Sequence, residues 1–110
     1  ASNKYQQGTE KLIRHLFPSI SFIATLGQRK QVPSKPDPTI LMEIIEKAGV
    51  SPEETLMIGD SDVDMKTANN AQVDACGVLW GFRSLEELKQ QHPKHLAGHP
   101  KDILSFLEIE

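Results

Sequence analysis

At 110 residues with a net charge of −3 and a pI near 5.8, the chain has room for one small domain, one that buries about 60% of its unfolded surface, and lacks the basic face of a nucleic-acid binder. No apolar run approaches the roughly 18 residues of a membrane span, and no signal peptide is visible. The single cysteine, Cys76, has no internal disulfide partner, which fits a cytoplasmic protein.

Helices and strands alternate along the chain, the pattern of a parallel sheet with crossover helices. Gln6 to Leu16 predicts a helix with an apolar stripe of Leu12, Ile13 and Leu16, ended by Phe17-Pro18. Phe22 to Leu26 reads as a short strand closed by Gly27, and the polar loop Gln28 to Pro33 leads to Lys35. Asp37 can cap the next helix, with Pro38 at its first position, Ile40, Leu41, Ile44, Ile45 and Ala48 on one face, and Gly49 as its stop. Ser51-Pro52-Glu53-Glu54 is a start signal for a single turn before the strand Thr55 to Ile58. A helix from Asp62 to Asn70 and a strand from Val73 to Leu79 follow. Gln72 stands where a glycine would suit the helix end, and left-handed backbone there costs a non-glycine residue about 1 kcal/mol, so a different helix end is expected. Ser84 and Glu87 make a capping box for a helix through about Gln90, and Pro100 to Leu107 is a last helix with Ile103, Leu104 and Leu107 inward.

The chemistry concentrates in Gly59-Asp60-Ser61-Asp62-Val63-Asp64, where the apolar run Leu56-Met57-Ile58 gives way to a helix. Carboxylates four residues apart at the carboxyl end of a buried strand suit a hard cation, in the place where α/β folds bind ligands. Lys35, before a Pro-x-Pro turn on another loop at the same edge, supplies a fixed positive charge for anionic oxygens. Phosphate and magnesium are the ligands this combination suggests.

These residues resemble the haloacid dehalogenase-like hydrolases, and within them the phosphoglycolate phosphatase group. Ser2-Asn3-Lys4 resembles the second family motif, Lys35 in Lys-Pro-Asp-Pro the third, and Asp60 with Asp64 in GDxxxD the fourth. Trp80-Gly81-Phe82 after Gly77-Val78-Leu79 is similar to a strand end of phosphoglycolate phosphatases. The resemblance implies a three-layer, Rossmann-like α/β core with a parallel sheet. It implies a magnesium-dependent phosphomonoester hydrolase, working through an aspartyl-phosphate, whose substrate is a small phosphorylated metabolite. In that frame Ser2 and Asn3 hold phosphate, Lys35 neutralises phosphoryl oxygens and the nucleophile, Asp60 ligates Mg2+, and Asp64 binds the metal's water shell or orients Lys35. Lys4 stays unassigned.

The family's first motif, DxDx(T/V), with the nucleophile and the acid/base, has no counterpart here, since Asp62 and Asp64 follow Asp60 inside the fourth motif. The cap domain is missing as well, and the first methionine is Met42. Residues 1–110 therefore read as the C-terminal part of a core domain that lacks its first strand and its cap, inactive alone. By analogy the absent strand is central in the sheet. Self-association, or pairing with a retained N-terminal segment near the Thr55 to Ile58 strand, is expected.

Each candidate has a plainer alternative. Asp60 could be a helix N-cap, Asp64 a first-turn acid, Lys35 a solvated loop residue and Ser2 a polar residue at a terminus. An EF-hand reading of Asp60, Asp62 and Asp64 fails, because Met65 occupies the glycine position and Ala71 the bidentate glutamate position; Asp62 is left outside the site. His92, His95 and His99 have zinc-like spacing, but Pro93 and Gly98 break the helix that would align them, so a solvated loop is favoured. Trp80 and Phe82 are expected to pack the strand end. Rival functions are a phosphomutase, a phosphonate hydrolase or dehalogenase, a non-catalytic metal- or phosphate-binding regulator and, less plausibly, a receiver domain.

Overall fold

Three short segments pair into the sheet, each contributing apolar residues that pack beneath helices. In the computed structural model, which describes residues 1–81 and 83–107, β1 is Leu56–Gly59, β2 is Asp74–Val78 and β3 is His95–Ala97, all parallel and in the order β1-β2-β3. The helices are α1 (Gln6–Leu16), α2 (Thr39–Ala48), α3 (Asp62–Ala71), α4 (Leu85–Lys89) and α5 (Pro100–Phe106), with a single 3-10 turn at Pro52–Glu54. The pairing of Met57 with Ala75 and of Ile58 with Cys76 puts alternate residues on opposite faces. On one face Met57 and Ala75 join Leu41 and Ile45 of α2, Met65 and Ala68 of α3, and Leu88 of α4. On the other, Cys76, Val78 and Ala97 pack against Ile103 and Phe106 of α5. The result is the three-layer α/β arrangement expected, with α3 crossing over from β1 to β2.

The strand expected at Phe22 to Leu26 does not form. The segment's backbone meets residues 2–6 at its end alone: the Thr25 carbonyl accepts from Gln6 Nε2, the Leu26 carbonyl accepts from Ser2 N–H, Gln28 N–H donates to the Lys4 carbonyl, and Tyr5 and Gln28 form one isolated parallel bridge. A single bridge is too little for a ladder, and Phe22 and Ile23 stay exposed. In the other direction, β3 was missed because its three residues follow a histidine and proline run with no alternation to read. On its other side β1 has no partner strand among the described residues, and Ile58 is 44% exposed there.

Two helix faces also differ from expectation. Leu12 and Leu16 of α1 are exposed, and the one buried residue of that helix is Thr9. In α5, Ile103 and Phe106 share the inward face at a spacing of three, which turns Leu104 and Leu107 outward. The capping signals fare better, though α2 starts at Thr39 with Pro38 as its N-cap residue, one position later than expected: Asp37 accepts from Thr39 N–H at 2.9 Å, Gly49 ends α2 in the left-handed region, and Ser84 Oγ accepts from Glu87 N–H at 3.2 Å.

The end of α3 overturns the expectation made for Gln72. Gln72 itself takes the left-handed conformation, φ 59° and ψ 41°, with its N–H on the carbonyls of Ala68 and Asn69. Val73 N–H also bonds Ala68 O at 2.9 Å, and Val73 is buried, so the chain is drawn into the tight turn by the strand that follows. The hydrogen bonds and the burial of Val73 outweigh a local cost of about 1 kcal/mol. Gln72→Gly relieves that cost, and the variant is expected to be about 0.5–1 kcal/mol more stable in denaturant unfolding; equal or lower stability would show that the turn is not strained.

Candidate functional site

Parallel strands place their carboxyl ends at one edge of the sheet, and the candidate residues collect there. Gly59 closes β1 and Asp60 follows it, while α3 begins at Asp62 with Asp64 in its first turn. Ser61 is the N-cap of α3: its Oγ accepts from Asp64 N–H at 3.1 Å. Asp60 is thus released from the capping duty that was its plainer alternative. The Ser-x-x-Asp spacing that marks such a cap was present in the sequence and passed over in favour of Asp60.

Asp64 is buried, and its Oδ1 lies 2.6 Å from Lys35 Nζ, with side-chain exposures of 10% and 12% respectively. The first-turn location favours the negative charge, and the lysine neutralises it. Lys35 Nζ also donates to the Ala1 carbonyl at 3.3 Å, next in sequence to Ser2. An ammonium group has three N–H donors; with two engaged among the described residues, one is left for an incoming oxygen. Lys35 is therefore no solvated loop residue.

Two glycines make room for the carboxylates. A Cβ on Gly59 would run into Cβ and the carboxylate of Asp64, and a Cβ on Gly81, in the loop after β2, would run into Asp60 in the same way. Asp60 is accordingly lodged between the ends of β1 and β2, half-buried, and makes no ion pair or side-chain hydrogen bond among the described residues. A half-buried carboxylate without a partner, beside another whose charge is already neutralised, suits a hard cation that also draws ligands from water and an anion. Among the described residues no cluster of three or more His, Cys, Asp or Glu side chains gathers as a complete metal cage.

Ser2 and Asn3 lie on the same side, with their side chains already engaged. Ser2 Oγ accepts from Lys4 N–H at 3.0 Å, which leaves its hydroxyl proton available to donate. Asn3 grips Lys35 twice: its Nδ2 donates to the Lys35 carbonyl at 3.2 Å and its Oδ1 accepts from Lys35 N–H at 2.9 Å. From α3, Asn70 Nδ2 donates to the Pro36 carbonyl at 2.9 Å. These contacts join residues 32 and 34 apart in sequence, so no local pattern could have disclosed them.

The remaining candidates separate from the site. Asp62 faces Lys66 and Arg83, each at 3.6 Å, as a surface charge. His95 stacks on Phe106 with centroids 4.4 Å apart, and His99 caps α5 by accepting from Lys101 N–H. Trp80 does not pack the strand end: the turn after β2 leaves it 49% exposed. Phe82 lies outside the described residues.

Comparison with known proteins agrees with this geometry. The family described as HAD-hydrolase-like matches residues 32–103, which include Lys35, Asp60 and Asp64. A candidate pyrophosphatase PpaX of Clostridium perfringens is 38% identical over 74 residues, 67% of this chain and 35% of that protein. The phosphoglycolate phosphatase of Aquifex aeolicus is 28% identical over 107 residues, 97% of this chain and 49% of that protein. A crystal structure of a candidate phosphoglycolate phosphatase from Lactobacillus delbrueckii subsp. bulgaricus superimposes with a TM-score of 0.88 at 30% identity, over 96% of this chain and 44% of that one. The chain thus spans between about a third and a half of the length of these relatives. With the family matched across most of its residues and the fold shared from end to end, the chain belongs to the haloacid dehalogenase-like hydrolases.

Proposed function

We propose that this chain supplies the phosphate-holding and metal-holding edge of a magnesium-dependent phosphomonoester hydrolase of the phosphoglycolate phosphatase type. The observation that carries the reading is the Lys35 ammonium held on the Asp64 carboxylate, with the unpaired Asp60 at the end of the neighbouring strand. A cation-and-carboxylate edge of this kind favours a dianionic phosphate, because the third N–H of Lys35 can meet a phosphoryl oxygen.

In this reading five residues share the tasks of the edge. Lys35 binds and neutralises phosphoryl oxygens, and Asp64 fixes where its ammonium sits. The Ser2 hydroxyl and a neighbouring backbone amide donate to phosphate, while Asn3 holds the Lys35 main chain beside it. Asp60 offers a hard carboxylate oxygen to Mg2+, with Asp64 as support. Bound magnesium would supply charge to the phosphoryl group and the attacking carboxylate. The nucleophilic aspartate and the acid/base belong to the complete enzyme, outside residues 1–110, and this stretch alone is inactive. The substrate is a small phosphorylated metabolite in the cytoplasm; phosphoglycolate and pyrophosphate, named in its relatives, are the first two to assay.

Two measurements on the complete enzyme test the assignment. Asp60→Asn removes one formal charge from the metal site and is expected to raise the magnesium concentration for half-maximal activity at least tenfold; an unchanged magnesium dependence would remove Asp60 from the site. Lys35→Ala is expected to lower kcat a hundredfold or more, since an electrostatic clamp on transferring oxygens contributes on the order of 3 kcal/mol. Lys35→Arg should recover only part, a planar fork being a poor replacement for a point charge. Near-normal turnover of a small phosphomonoester by Lys35→Ala would contradict the proposal.

A further inference from the structure

The loop that carries Lys35 has no regular structure, yet its main chain is held at three successive polar groups. The Lys35 N–H and C=O both bond to the Asn3 carboxamide, and the Pro36 C=O, the one polar group a proline main chain has, accepts from Asn70. Asn70 has no local reason for this contact. It stands exposed in the last turn of α3, where asparagine is a poor helix former, and its side chain reaches to a loop 34 residues earlier in sequence. Asp64 lies six residues before it on the same helix, about 9 Å along the axis. One rigid element thus reaches the lysine at its ammonium, through Asp64, and the main chain of the next residue, Pro36, through Asn70.

We propose that Asn70 is a positioning residue for Lys35: with Asn3 it fixes the main chain from which the ammonium reaches the phosphate edge, and α3 acts as the spacer that sets the reach. The inference rests on the phosphatase reading for its catalytic consequence, while the clamp itself is independent of that reading. Asn70 makes its one described side-chain hydrogen bond to the Lys35 loop, at the Pro36 carbonyl. Its effect passes through Lys35 alone.

The test combines kinetics with hydrogen exchange on the complete enzyme. Asn70→Ala, and Asn70→Asp as a variant of the same shape without the N–H donor, should each lower kcat/KM for p-nitrophenyl phosphate three- to tenfold, the range for loss of one hydrogen bond. The thermal midpoint should move no more than a surface substitution allows. In the Lys35→Ala background the same changes should cause no further loss, because the ammonium they position is gone. Exchange at the Lys35 amide should quicken in both Asn70 variants as the loop loosens. An equal fold-loss in both backgrounds, or no loss in the native background, would overturn the positioning role, and unchanged Lys35 amide exchange would overturn the clamp. Quickened exchange together with a fully active Lys35→Ala enzyme would instead overturn the phosphatase role of Lys35 and leave the clamp standing.

Discussion

A lysine ammonium 2.6 Å from a carboxylate, each nearly withdrawn from water, is the interaction on which the rest of this edge depends. Such a pair is seldom worth having for stability alone, because desolvating two ions costs several kcal/mol that their attraction only repays in good geometry. Removing one partner is worse still, since it strands a charge. The surrounding structure is arranged to keep both in place: α3 begins where its dipole favours Asp64, Ser61 caps that turn, and Gly59 leaves the space the carboxylate fills. The loop from Gln28 to Pro38 is tied down at Arg29 by Glu43 of α2 and at Lys35-Pro36 by two carboxamides. A charge pair that costs this much support makes physical sense at a place where a third, negative group arrives.

The sheet explains why these residues meet at all. Parallel strands deliver every following loop to one edge, so Asp60 after β1 and Gly81 after β2 become neighbours although 21 residues separate them. Packing sets the tolerances. Met65, Thr67 and Ala68 of α3 are fully buried, which fixes the rotation of the helix and hence the directions of Asp64 and Asn70. The fold therefore enters the chemistry through one helix, whose inner face belongs to the core and whose ends serve the Lys35 loop.

Much of this was legible in the sequence, for identifiable reasons. Helices α1, α2 and α3 carry strong local signals, with periodic apolar residues and, for α2, Asp37 before its start and Gly49 at its end, and their bounds fell within two residues of those observed. Lys35, Asp60 and Asp64 stood out because they fall, in order, within the Lys-Pro-Asp-Pro and GDxxxD motifs, with the carboxylates following an apolar strand. What escaped was tertiary. Phe22 to Leu26 has strand composition but no strand alongside it, β3 is too short to show a period, and Gln72 is forced into its turn by the burial of Val73. The roles of Asn3 and Asn70 depend on contacts across more than 30 residues, which no spacing rule encodes.

Whether the Lys35 ammonium and the Asp64 carboxylate depend on each other is measured directly by a double-mutant cycle on unfolding free energy. Lys35→Met, Asp64→Asn and the double variant keep side-chain volume while removing one charge, the other, or both. Each single change is expected to cost about 3 kcal/mol and the double clearly less than their sum, with a coupling energy above about 1.5 kcal/mol. Additivity within about 0.5 kcal/mol would contradict it, for the two charges would then not depend on each other, and the edge built around them would need another explanation.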